Sequence, residues 1–91
     1  NISQVYRQEC NQSSEIYVDK FLRPGFMYYA GKPGVEMLPK TDAFAKALRK
    51  EEHKYFLVRG LEYRRLLKLQ AKPEDLHTIS EIGDIYLLEQ K

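Results

Sequence analysis

Residues 55–58 read Tyr55-Phe56-Leu57-Val58, an uninterrupted apolar run of β-branched, aromatic and aliphatic side chains. Apolar character without polar alternation is what a strand needs when both faces of its sheet are covered. The run therefore predicts a central strand, with helices above and below it.

The flanks agree with that placement. Leu61 to Leu69 returns to helical spacing through Tyr63, Leu66 and Leu67, and Pro73 ends the region. On the other side, Thr41 or Asp42 can cap a helix whose apolar stripe is Phe44, Ala47 and Leu48, with Lys46, Arg49 and Lys50 in water. Val35-Glu36-Met37-Leu38, closed by Pro39, and Ile16-Tyr17-Val18 read as two shorter strands. Between them lies "RPGFMYYAGKP", residues 23–33. Pro24 suits a first helical turn, Phe26, Tyr29 and Ala30 follow at helical spacing, and Gly31 can take the left-handed conformation that stops a helix. Its glycines fit neither GxGxxG nor a P-loop, so a short capped helix is expected rather than a phosphate cradle.

At the start of the chain, Ile2, Val5, Tyr6 and Cys10 share one face of an amphipathic helix, which makes Cys10 a small buried hydrophobe. At the end, Thr78 to Ile82 and Ile85 to Leu88 flank Gly83-Asp84, a hairpin signal. The order predicts one α/β domain over residues 1–91: a small three-layer sheet, mostly parallel, with an antiparallel C-terminal hairpin and helices on both faces. The 91 residues carry 43% hydrophobic and 31% charged side chains, as an ordinary globular domain does.

The net charge of +2 is too small to indicate a nucleic-acid partner. A single cysteine excludes an internal disulfide, and neither of the two histidines has a second ligand at metal-binding spacing, so no metal or cofactor is expected. Asp19 ends the first strand, where open α/β sheets place ligand-binding groups, and Arg23 follows closely. Tyr28 and Tyr29 are adjacent, so a helix cannot send both into the core and one should offer a contact surface. Arg59, Arg64, Arg65, Lys68 and Lys72 cluster around the last long helix. They read either as its solvated face or as a basic patch for lipid headgroups or phosphate.

The run "YVDKFLRPGFMYYAGKP", the later "YFLVRGLEYRRLL" and the closing "ISEIGDIYLLEQ" together resemble a known pattern. It is that of the soluble C-terminal domain of membrane glycosyltransferases of the dolichyl-phosphate-mannose-protein mannosyltransferase and aminoarabinose-transferase superfamily. The matching positions are Arg23, Pro24, Gly25, Phe26, Tyr28 or Tyr29, Gly31, Lys32 and Pro33, then Val58-Arg59, then Ile82 to Leu88. The resemblance implies a parent that transfers a sugar from a polyprenyl-phosphate donor, with this domain after its last membrane helix on the extracytoplasmic side. The family's catalytic acids lie near its first membrane helices, so no catalytic residue carries over. Opening on Asn1 rather than Met fits the expectation of a piece from the C-terminal end of a larger membrane protein. The implied role is a non-catalytic accessory domain. It would pack on the parent's membrane portion, near lipid-linked sugar or anionic headgroups. The alternative is a free-standing module that binds a small anion or a protein.

Overall fold

The structure, a computed structural model, describes residues 1–38, 41–69 and 75–91. Pro39, Lys72 and Pro73, which the sequence reading used as a strand end, a basic-patch member and a helix stop, lie outside the described residues. The element order is α1 (Ile2–Glu9), β1 (Glu15–Asp19), α2 (Arg23–Ala30), β2 (Val35–Met37), α3 (Ala43–Arg49), β3 (Lys54–Arg59), α4 (Gly60–Leu69), β4 (Leu76–Ile82) and β5 (Ile85–Gln90).

The strands form one sheet in the order β2-β1-β3-β5-β4. The Tyr55–Val58 run is its middle strand, as expected, parallel to β1 on one side and antiparallel to β5 on the other. The β2–β1–β3 half is parallel, and the C-terminal half is the predicted hairpin, turning at Gly83 with φ 62°. Two pairings are parallel and two antiparallel, so the mixed sheet starts parallel and ends in antiparallel C-terminal strands.

Strand alternation sorts the core into two layers. On one face Ile16, Val18, Tyr55, Leu57 and Leu87 pack against Ile2, Tyr6 and Cys10 of the α1 segment and Phe26 and Ala30 of α2. On the other, Tyr17, Phe56, Val58 and Leu88 pack against Phe44, Ala47 and Leu48 of α3 and Leu66 of α4. Connection handedness explains this division. From β1 the chain steps outward to β2, then back across β1 to β3. Right-handed crossovers running in opposite directions must lie on opposite faces.

Local signals account for most helix ends. Asn1 Oδ1 accepts the Ser3 N–H at 2.8 Å and caps α1. Gly31 ends α2 in the left-handed conformation, φ 76°, with its N–H donated to the Met27 carbonyl. The α3 start divides the cap between the two expected residues. Asp42 occupies the cap position without a side-chain hydrogen bond, while Thr41 Oγ1 accepts the Ala43 N–H at 3.2 Å and donates to the Leu38 carbonyl at 2.7 Å. In α4 the buried side is Glu62 and Leu66 with half-buried Tyr63, whereas Leu67, expected inside, is exposed.

Candidate functional site at the carboxyl ends of β1 and β3

From the end of β1 the chain turns to α2 on one face, and from the end of β3 it turns to α4 on the other. Between two such strands an open α/β sheet leaves a crevice, the usual place for ligand-binding groups. Asp19 and Arg59, the last residues of β1 and β3, meet there. Arg59 Nε donates to Asp19 Oδ2 at 2.9 Å. Asp19 is fully buried; its Oδ1 accepts the Phe21 N–H at 2.9 Å and its carbonyl accepts the Leu22 N–H at 2.8 Å. An aspartate that bonds the backbone two residues on is a turn-forming device, and here it folds the chain sharply from β1 into α2.

The turn positions Phe21. Its ring lies against the Arg59 guanidinium, 4.9 Å from centroid to Cζ, although the side chain is 66% exposed. Such a contact contributes about 0.5–1 kcal/mol at an exposed site. Phe21 also borders a groove of about 230 Å³ between α1 and α2, whose apolar wall includes Ile2, Phe26, Tyr29, Leu57 and Ile85. The arrangement is thus a cation and an aromatic ring, anchored on a buried carboxylate, beside a greasy channel. Among the described residues, Arg59 Nη1 and Nη2 have no hydrogen-bond partner, so the outer edge of the guanidinium faces solvent.

Asp84, in the β4–β5 turn, reaches the same end of the molecule. Its carboxylate lies where a Cβ on Gly60 would stand, so glycine at the first position of α4 lets the hairpin close onto the helix.

The sequence candidates divide accordingly. Asp19 and Arg59 come together, and Tyr29 lines the groove that Phe21 borders. Arg23 does not: its Nη1 pairs with Glu36 Oε1 at 3.3 Å and its Nε donates to the Pro33 carbonyl at 3.3 Å, directing it toward β2. Both tyrosines are exposed where one was expected; Tyr28 is 81% accessible, and the two rings meet edge to face at 4.9 Å. The basic cluster also separates, since Arg65 pairs with Glu62 at 2.8 Å while Arg64 and Lys68 face solvent. Phe21 was missed. Its only sequence signal was an aromatic residue in the loop directly after a strand-ending aspartate.

Cys10 behaves as the buried hydrophobe expected. Burial first, then the charges of Glu89 and Glu9, push its thiol up to about 11. Comparisons with protein-family models, with curated proteins and with solved structures find no match for this chain. Among the described residues, no helix is long and apolar enough to cross a membrane.

Proposed function

We propose that the domain is a soluble accessory domain of a polyprenyl-phosphate-sugar-dependent membrane glycosyltransferase of the mannosyltransferase type. It sits on the extracytoplasmic side and takes no part in the sugar transfer itself. The observation that carries this reading is the Phe21–Arg59 pair beside the apolar groove. A greasy channel whose rim residue Phe21 also holds a cation suits a lipid phosphate, whose chain and anionic head need both. The polar groups of the crevice support a binding role rather than a reacting one, because both oxygens of the Asp19 carboxylate are already engaged, one by Arg59 and one by the Phe21 N–H. Leu61 and Ile82, both about half exposed, lie at the same strand ends and extend the apolar surface toward a covering partner.

The coding sequence upstream of Asn1 tests the proposal. The expected result is an open reading frame with repeated apolar stretches of about 20 residues each. An in-frame stop codon just upstream, or a long frame without such stretches, would overturn it.

A second reading, capture of a small anion, is favoured by the free outer edge of Arg59. It predicts that inorganic phosphate raises the melting temperature of the wild-type domain and leaves Arg59→Gln unchanged. Equal response of the two proteins would remove it.

A further inference from the structure

A second polar constellation occupies the opposite end of the sheet, and it was not legible as a motif. Ser14 immediately precedes β1, His53 immediately precedes β3, and Glu89 lies near the end of β5. Parallel pairing of β1 with β3 and antiparallel pairing of β3 with β5 brings all three to one place. Ser14 Oγ is 2.6 Å from His53 Nδ1, and His53 Nε2 is 2.7 Å from Glu89 Oε2.

The chemistry of the partners assigns the protons. An ionised carboxylate only accepts, so Glu89 takes the Nε2 hydrogen. Nδ1 is then the ring's lone-pair nitrogen, and the Ser14 hydroxyl donates to it. The ring is also held by Tyr55, edge to face at 4.9 Å, whose own hydroxyl accepts the Asn11 N–H at 2.8 Å. The outcome is a hydroxyl, a base aimed at it, and a carboxylate that orients the base. Those three parts, in that order, activate a nucleophilic serine. Familiar hydrolases use the two ring nitrogens in the opposite sense, but proton abstraction needs only one nitrogen bare and the other bonded to an acid.

The site is accessible. The His53 side chain is 35% exposed, and Ser14 forms part of the wall of a groove of about 240 Å³ together with Gln12, Ile16, Lys32 and Gly34. Lys32 Nζ is held by the Gln12 carbonyl at 3.1 Å, which places a positive charge on the same wall.

We infer that Ser14 is a nucleophile activated by His53, giving the domain an ester-hydrolysing activity toward short acyl groups that is separate from sugar transfer. Ser14 Oγ attacks the acyl carbonyl while its proton passes to His53 Nδ1. The adduct collapses, the bond to the alcohol breaks, and the alcohol leaves with that proton. A water then attacks the acylated Ser14 and gives its proton to His53. The carboxylic acid departs and the serine hydroxyl is restored. Lys32 offsets charge on the carbonyl oxygen in both halves. Glu89 acts through His53 and is a positioning residue.

Diisopropyl fluorophosphate tests the nucleophile on the unaltered protein, with mass spectrometry to locate the adduct, so no folding failure can intervene. The expected result is one adduct, on Ser14, and none on Ser14 when the protein is denatured before the reagent is added. Hydrolysis of p-nitrophenyl acetate supplies the second measurement, with circular dichroism confirming that each variant is folded. Ser14→Ala should abolish the enzyme-dependent rate, and His53→Ala should lower it by about 100-fold or more. Glu89→Gln still offers Nε2 an acceptor but no charge, and should lower kcat without changing KM. Lys20→Ala, exposed at the opposite end of the sheet, should change nothing. Absence of an adduct on Ser14, or equal hydrolysis by wild type and a folded Ser14→Ala, would overturn the inference. The accessory-domain proposal stands or falls separately, because its test concerns the coding sequence upstream.

Discussion

Replacing Arg59 by methionine tests how the crevice is built. The change keeps the apolar stem and removes the guanidinium, leaving the Asp19 carboxylate fully buried with one backbone donor, the Phe21 N–H, but no countercharge. A hydrogen bond to a charged group contributes about 1.5–3 kcal/mol. Breaking a fully buried pair costs about 3–5 kcal/mol, because a bare charge is left inside. Arg59 is 43% exposed, so water can reach part of the vacated space and the lower range applies. Loss of the Phe21 ring contact adds about 0.5 kcal/mol. The expected destabilisation is about 2–3 kcal/mol. Urea unfolding followed by circular dichroism should show it as a lower midpoint with an unchanged slope. The double variant with Asp19→Asn should recover part of the loss, since the uncompensated charge is then gone. A loss below about 0.5 kcal/mol for Arg59→Met would mean that the pair behaves as an ordinary surface salt bridge, and the anchoring role assigned to Asp19 would be wrong.

Gly34 and Gly31 both have positive φ, 67° and 76°, but only at Gly34 would an added Cβ meet a neighbour, Val18 Cγ2 at 2.7 Å. Gly31→Ala should cost about 1 kcal/mol from backbone strain alone, and Gly34→Ala clearly more; equal midpoints in urea would contradict the packing of β2's approach onto β1. Cys10, with its thiol pushed up to about 11 by burial, should react with Ellman's reagent at mildly alkaline pH only as the chain unfolds. Fast labelling of the folded domain would show the α1 contact to be open. Tyr17 is pushed up to about 12, first by burial and then by its hydroxyl's hydrogen bond to Glu15 at 2.7 Å. The folded chain therefore holds this proton more tightly than the unfolded chain, whose value is 10.0. The resulting stabilisation is complete below pH 10 and is lost as pH rises toward 12. Thermal melts across that interval should fall more steeply for wild type than for Tyr17→Phe, and parallel curves would refute the assignment.

Much of the architecture was visible before any coordinate. Tyr55–Val58 read as a covered strand, because four consecutive large apolar side chains alternate onto both faces of a sheet. Gly31 and Gly83 marked a helix stop and a hairpin, and both take the left-handed backbone that glycine permits. The face of α1 and the hidden state of Cys10 followed from spacing alone. Less was visible at the sites. Asp19 could be singled out as a strand end with Arg23 close behind it, but the arginine that pairs with it, Arg59, is 40 positions away. Strand order decided between them: β3 lies beside β1, so its last residue reaches Asp19, while Arg23 begins a helix that leads toward β2. Leu67 looked buried by period, but α4 turns its buried side toward Leu66 and the half-buried Tyr63.

Element type, element ends and the inward stripes of these helices and strands belong to the one-dimensional pattern, because each depends on torsions and spacings within a few neighbouring residues. The Asp19–Arg59–Phe21 cluster and the Ser14–His53–Glu89 chain exist only in three dimensions. They require crossovers on opposite faces and β5 registered against β3, and no local preference encodes which distant strand becomes a neighbour.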